Sequence, residues 1–191
     1  MSDSNPSPAP LHIDAATGLL RAVRQVISPH CDARPAGATA ELIVVHGISL
    51  PPGEFGGPWV DRLFAGSPLG DSHPYFATLA GVRVSAHAFI ARDGGLSQYV
   101  PFQDRAWHAG ASSWRGRSAC NDFSVGIELE GVDDRPYDDA QYRALGALLR
   151  ALRATYPALS TAEVVGHSDI APGRKTDPGP AFEWARIRDP S

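Results

Sequence analysis

The stretch Leu42-Ile43-Val44-Val45-His46 limits the fold more than any other part of the chain. It is a short apolar run rich in β-branched residues, with no helical periodicity and a Gly- and Pro-rich segment just beyond it. Such a run reads as a central strand that delivers His46 at its C-terminal end. The segment from Gly47 to Gly57, with ISLPPGEFGG inside it, is expected to be a loop.

The remaining elements follow from similar patterns. Pro58 to Phe64 and Pro74 to Ala80 read as short helices, each opening on a proline that suits the first turn. Val84 to Ile90 reads as a strand, with Val84, Ala86, Ala88 and Ile90 on one face and Ser85, His87 and Phe89 on the other. Arg92-Asp93-Gly94-Gly95 is a turn signal into Leu96 to Val100, which predicts a hairpin. Ser124 to Leu129 is a further strand, and Val164-Val165 a short one. Tyr142, Leu145, Leu148, Leu149 and Leu152 form one apolar stripe along a helix from Asp138 to Tyr156, with an aspartate to cap it and Pro157 to end it. Gly166 to Pro180 is expected to be a long loop, and Ala181 to Ile187 a final helix. Strands interspersed with helices, including a hairpin, predict an α/β fold: a central mixed sheet flanked by helices.

Composition sets the organisation. Of 191 residues, 43% are apolar and 20% charged, enough for one compact domain from residue 11 to 191 behind a polar, Pro-rich tail at 1 to 10. A net charge of −4, without long runs of either sign, argues against nucleic acid and anionic membrane as partners. No stretch reaches membrane-spanning length, and the start lacks a secretory pattern, so a reducing cytoplasm is expected. Cys31 and Cys120, distant and outside any Cys-x-x-Cys pair, are then expected to be inert thiols.

Seven histidines occur, and context separates two. His46 and His167 each lie where a β-branched strand meets a Gly-containing loop, a place that holds a side chain rigidly with its tip accessible. Asp177 lies ten residues after His167 in DIAPGRKTDPGP, within reach of a shared ion. Two imidazoles and a carboxylate leave a fourth position open on catalytic zinc; the same trio suits a non-haem iron centre. From spacing alone, a pair of core histidines and a turn-forming aspartate remain an equal alternative. In Ser124-Val125-Gly126-Ile127-Glu128-Leu129-Glu130, alternation sends Glu128 and Glu130 to one face, where they are either solvated or beside a positive charge. Lys175 lies two residues before Asp177. Trp107 and His108 stand in a Gly-containing loop, where the indole suits a sugar face or the core, and Arg83 precedes a strand and suits a carboxylate or the surface.

The segments HGISLPPGEFGGPWV, VSAHAFIARDG, QYVPF, RAWHAG, CNDFSVGIELEG and GHSDIAPGRKTDPGPAFEWAR, from about Ala22 to Arg188, resemble those of the AmpD-type branch of the type 2 N-acetylmuramoyl-L-alanine amidases. The resemblance implies a fold like that of peptidoglycan recognition proteins. It implies cleavage of the lactyl amide between 1,6-anhydro-N-acetylmuramic acid and L-alanine in muropeptides, by a cytoplasmic monomer that recycles cell wall. It further implies one zinc ion held by His46, His167 and Asp177, with Glu128 as catalytic carboxylate and Lys175 stabilising the transition state. Arg83, Trp107 and His108 become substrate-facing positions. Two departures are Gly47, where relatives carry asparagine, and Ala119, where some carry arginine; both bear on how the peptide is gripped. Rival readings are a non-catalytic sensor of wall fragments, which would lack a ligand, and a phage-type amidase acting on intact wall.

Overall fold

A computed structural model of the chain describes residues 10–188; residues 1–9, nearly all of the expected tail, and 189–191 lie outside the described residues. Alternation along one strand divides the molecule into two sides. In Ser124–Glu130, Val125, Ile127 and Leu129 join the main apolar core, while Ser124, Gly126, Glu128 and Glu130 point to the opposite face.

Six strands form the sheet: β1 (Arg24–Gln25), β2 (Leu42–Ile48), β3 (Ala88–Ile90), β4 (Leu96–Gln98), β5 (Ser124–Glu130) and β6 (Glu163–Gly166). Their order is β6-β2-β5-β3-β4-β1. β6, β2, β5 and β3 run parallel, β4 is antiparallel to β3, and β1 is parallel to β4. The sheet is therefore mixed, and β3 with β4 is the expected hairpin.

The helices are α1 (Trp59–Phe64), α2 (Asp139–Thr155), α3 (His167–Ile170) and α4 (Ala185–Arg188). α2 lays Tyr142, Leu145, Leu148, Leu149 and Leu152, all nearly fully buried, against Ile43, Val45, Val125, Ile127 and Leu129. Each such leucine contributes about 1.5–3 kcal/mol through burial. Gln141 ties the start of α2 to the sheet. Its Oε1 accepts from the Asp138 backbone at 3.0 Å, and its Nε2 donates to the carbonyls of Glu130 at 2.9 Å and Ile90 at 3.2 Å.

The opposite face has different cover. Leu42 and Val44 pack on Ala109, Cys120, Phe123 and Ile170, which come from loops, a short 3₁₀ turn and α3 rather than from a long helix. A third cluster gathers Phe89 and Tyr99 with Leu63 and Phe64 of α1 and Phe76 of a 3₁₀ turn at Pro74–Leu79.

Several expected boundaries move. The expected strand from Val84 enters the ladder only at Ala88. Ala86 packs with Phe89 in the α1 cluster instead of with Ala88 and Ile90, so the alternation breaks there. The expected loop from Gly166 contains α3, and the last helix begins at Ala185, not Ala181. No helix among the described residues is long and apolar enough to cross a membrane.

Candidate metal centre and acid–base site

Strand register brings the site together. His46 of β2 pairs with Glu128 of β5, and Val45 pairs with Gly166 at the end of β6, so His167 emerges beside His46. In-register residues on parallel strands share a face, and the carboxyl ends of such strands are where α/β proteins bind ligands. Two hydrogen bonds fold the Asp177 loop back over these ends. Ser168 N donates to the Asp177 carbonyl at 3.0 Å, and the Tyr137 hydroxyl donates to the Pro178 carbonyl at 3.0 Å.

Three donor atoms converge as a result. His46 Nδ1 and His167 Nδ1 are 2.9 Å apart, and Asp177 Oδ2 lies 3.2 Å from the first and 3.1 Å from the second. Among the described residues this is the group of His, Cys, Asp and Glu side chains that fits a metal ion. Ligands held tetrahedrally at about 2.0–2.1 Å from one zinc ion stand roughly 3.3 Å apart, close to these separations. The outer edge of His167 is also set: its Nε2 lies 3.2 Å from the Ala109 carbonyl, so that nitrogen donates and Nδ1 keeps its lone pair.

The electrostatics favour a bare His46 imidazole beside an ionised carboxylate. Burial pushes His46 down to about 4, with Asp177 opposing, so the ring is neutral at neutral pH. Burial would raise Asp177, but the His167 and His46 rings beside its Oδ2 outweigh it and hold the carboxyl well below its usual range.

Glu128 and Glu130 share a face yet behave differently. Glu130 anchors loops: its Oε1 accepts from Gly56 N and its Oε2 from Arg92 N at 3.1 Å. Glu128 is 9% exposed, and its buried Oε2 has no hydrogen-bond partner among the described residues. Burial, reinforced by the charge of Asp177 and opposed by Lys175, pushes Glu128 well above the usual carboxylate range. Glu128, His167, Asp177 and Lys175 all line a cleft of about 740 Å³ with an apolar wall that includes Leu50, Leu79 and Val84. Lys175 is exposed at its rim and is the sole lysine among the 17 basic residues.

The other three expected residues are placed differently. Trp107 is half-buried, stacks on His30 with ring centroids 6.0 Å apart, and donates through Nε1 to Asp32 at 3.2 Å; it is absent from the cleft lining. Arg83 is exposed in an adjoining hollow that shares Leu63, Leu79 and Val82 with the cleft. His108 reaches the cleft floor, but both its nitrogens are engaged, Nδ1 by His46 Nε2 at 2.9 Å and Nε2 by Ser124 Oγ at 3.1 Å. No ring nitrogen of His108 is left for a substrate.

Residues without a sequence signal complete the setting. Asn121 Oδ1 accepts from the backbones of His108 at 3.1 Å and Ala109 at 2.8 Å, fixing the loop that carries both. Arg174 lines the cleft and donates to the Ala109 carbonyl at 2.7 Å; its adjacency to Lys175 was the one available hint. At Gly47 a Cβ would collide with the Tyr137 hydroxyl, so an asparagine there requires Tyr137 to move. Ala119 adopts a left-handed conformation, φ 59° and ψ 57°, just before the turn that carries Asn121. Cys31 and Cys120 are free thiols, both pushed up by burial.

A convergent donor triad with a buried acid beside it, at the floor of an open cleft on a mixed sheet, defines a hydrolytic type of site. Residues 36–180 match the family described as N-acetylmuramoyl-L-alanine amidase, and the chain belongs to that family. It is 60% identical over 171 residues to 1,6-anhydro-N-acetylmuramyl-L-alanine amidase AmpD of Escherichia coli (strain K12), covering 90% of this chain and 93% of that relative. A crystal structure of a selenomethionine AmpD derivative matches with a TM-score of 0.88 at 58% identity, over 92% of this chain and 97% of that one. AmpDh3 from Pseudomonas aeruginosa, solved in complex with anhydromuramic pentapeptide, matches with a TM-score of 0.56 at 30% identity, over 78% and 58% respectively.

Proposed function

We propose that this protein is a zinc-dependent amidase that hydrolyses the lactyl amide between 1,6-anhydro-N-acetylmuramic acid and L-alanine of cell-wall muropeptides. It acts as a cytoplasmic monomer in peptidoglycan recycling, through a single domain spanning residues 11–191. The observation that carries the reading is the approach of His46 Nδ1, His167 Nδ1 and Asp177 Oδ2 to within 3.2 Å of one another, with the buried carboxyl of Glu128 in the same cleft. The name of the Escherichia coli relative supports the bond cleaved, and the ligand in the AmpDh3 structure supports the substrate class.

His46, His167 and Asp177 would hold one zinc ion. When bound there, the ion supplies Lewis-acid polarisation and a water whose pKa falls toward about 7. Glu128 is the proton carrier: burial and the charge of Asp177 raise its affinity for a proton, so its carboxylate takes one from the attacking water. The same proton then passes from Glu128 to the departing alanine amine. Lys175, at the rim, offers its ammonium to the oxyanion that forms from the lactyl carbonyl, an effect of about 3–4 kcal/mol for a well-placed donor. The apolar wall around Leu50 and Val84 covers the less polar side of the sugar; of the positions expected to face substrate, Arg83 in the adjoining hollow and His108 at the cleft floor border it, while Trp107 lies outside both linings.

The deciding experiment is mass analysis of products from anhydromuramyl-tripeptide with and without a chelator. Release of free tripeptide only in the presence of metal is expected. Release that survives full removal of metal overturns the zinc assignment, and absence of any release overturns the amidase assignment. Faster cleavage of polymeric sacculi than of the anhydromuropeptide would move the substrate to intact wall.

A further inference from the structure

His108 belongs to a line of polar atoms running from the backbone to His46. The Cys120 carbonyl lies 2.6 Å from Ser124 Oγ, Ser124 Oγ lies 3.1 Å from His108 Nε2, and His108 Nδ1 lies 2.9 Å from His46 Nε2. All three side chains are buried: Ser124 is fully enclosed, His46 1% and His108 8% exposed.

The protons along this line have one consistent order. A carbonyl oxygen only accepts, and at 2.6 Å it must receive the single hydroxyl proton of Ser124. Ser124 then presents a lone pair to His108, so His108 carries its proton on Nε2. The His108 ring is buried against the β5 backbone and has no carboxylate among its hydrogen-bond partners, so it carries that one proton only and its Nδ1 is bare. A bare Nδ1 at 2.9 Å requires His46 Nε2 to donate. The lone pair of His46 is thereby left on Nδ1, the nitrogen that faces His167 and Asp177. The reverse order would set two oxygen lone pairs against each other at 2.6 Å and place a proton on His46 Nδ1.

The ring of His108 is seated for this task. A Cβ at Gly126 would fall within the imidazole, so the ring lies directly on the β5 backbone. Asn121 fixes its backbone N–H, and the Gly126 N–H, donating to His87 Nδ1 at 3.0 Å, holds the neighbouring ring that meets His108 edge-on at 5.9 Å.

We propose that Ser124 and His108 are positioning residues that dictate the tautomer of His46, so that its Nδ1 is presented as a metal ligand before any ion arrives. The proposal rests on the reading of His46, His167 and Asp177 as zinc ligands. Outer partners of this kind change metal affinity by about 10–100-fold when removed.

The test uses the full chain and zinc alone as probe, in competition with a chromophoric chelator, together with ¹⁵N spectra of the histidine rings. His108→Ala is expected to weaken zinc binding about 10–100-fold and Ser124→Ala about 3–10-fold, with Ser124→Thr restoring it through the retained hydroxyl. In the wild-type metal-free spectrum His108 is expected as the Nε2–H tautomer, an order lost in Ser124→Ala. A His108 proton on Nδ1, or zinc affinities within twofold of wild type in both alanine variants, overturns the proposal. A wild-type chain that takes up no zinc would instead overturn the ligand reading beneath it, while the metal-free spectrum still decides the order of protons.

Discussion

The two faces of β5 are equally buried and do opposite things. Toward α2, Val125, Ile127 and Leu129 meet a leucine stripe with no polar atom among these side chains, so burial is all gain. Toward the cleft, Ser124, Gly126, Glu128 and Glu130 carry a hydroxyl, a bare backbone and two carboxylates into buried positions as well. Glu130 recovers its desolvation cost through backbone donors; the buried Oε2 of Glu128 has no such donor among the described residues. Seven consecutive residues thus place the stabilising half of the fold and the chemically strained half back to back, one strand thick.

That contrast predicts a clean separation of effects. Glu128→Gln should lower kcat by about 10²–10⁴-fold while zinc content stays near one per chain and stability does not fall. Steady-state kinetics, metal analysis and denaturant unfolding check this, and loss of zinc would make Glu128 a ligand. On the other side, Leu148→Ala, across from the same strand, should cost about 2–5 kcal/mol in unfolding free energy and leave kcat per folded molecule intact. A proportional loss of kcat would show that the two faces are mechanically coupled.

The pH dependence of stability sharpens the comparison. Glu128 has a raised folded-state pKa, so its contribution to the stability of the metal-free protein is full below its ordinary value and is lost as pH rises through the raised one. Asp177 is depressed, so its contribution is already complete above the ordinary carboxylate range and adds no slope at higher pH. Unfolding of metal-free wild type and Glu128→Gln from pH 5 to 8 should therefore show the variant gaining relative stability as pH rises. A constant difference would mean that Glu128 titrates normally. The smallest effect is expected at Ala119, where glycine relieves the left-handed conformation; Ala119→Gly should add up to about 1 kcal/mol in thermal unfolding with kcat unchanged.

Features with a short repeat or a sharp compositional edge were legible in the sequence. The β-branched run ending at His46, the alternation of Ser124–Glu130 and the stripe of α2 each state their geometry within a few residues. Features built from distant partners were not. That Glu130 would anchor a loop depends on Gly56, 74 residues away, and the role of His108 depends on His46, 62 residues away. α3 was hidden for a different reason: four residues are too few to show a helical period, and its start is capped from within by Asp169 accepting from Gly166 N at 2.7 Å. The sequence left Trp107 open between a sugar face and the core because an indole in a loop carries no sign of the His30 ring that covers it.

The lone lysine at the rim of the cleft has a practical consequence. Every other basic side chain of the arginine and lysine set is a guanidinium, inert to amine-directed reagents under mild conditions. Apart from the α-amino group, acylating or reductively alkylating reagents therefore meet a single ε-amine, and it stands at the mouth of the reaction chamber. A fluorophore coupled this way would report directly on occupancy of the cleft. Attachment to an amine-reactive support through the same side chain would turn the opening toward the solid surface.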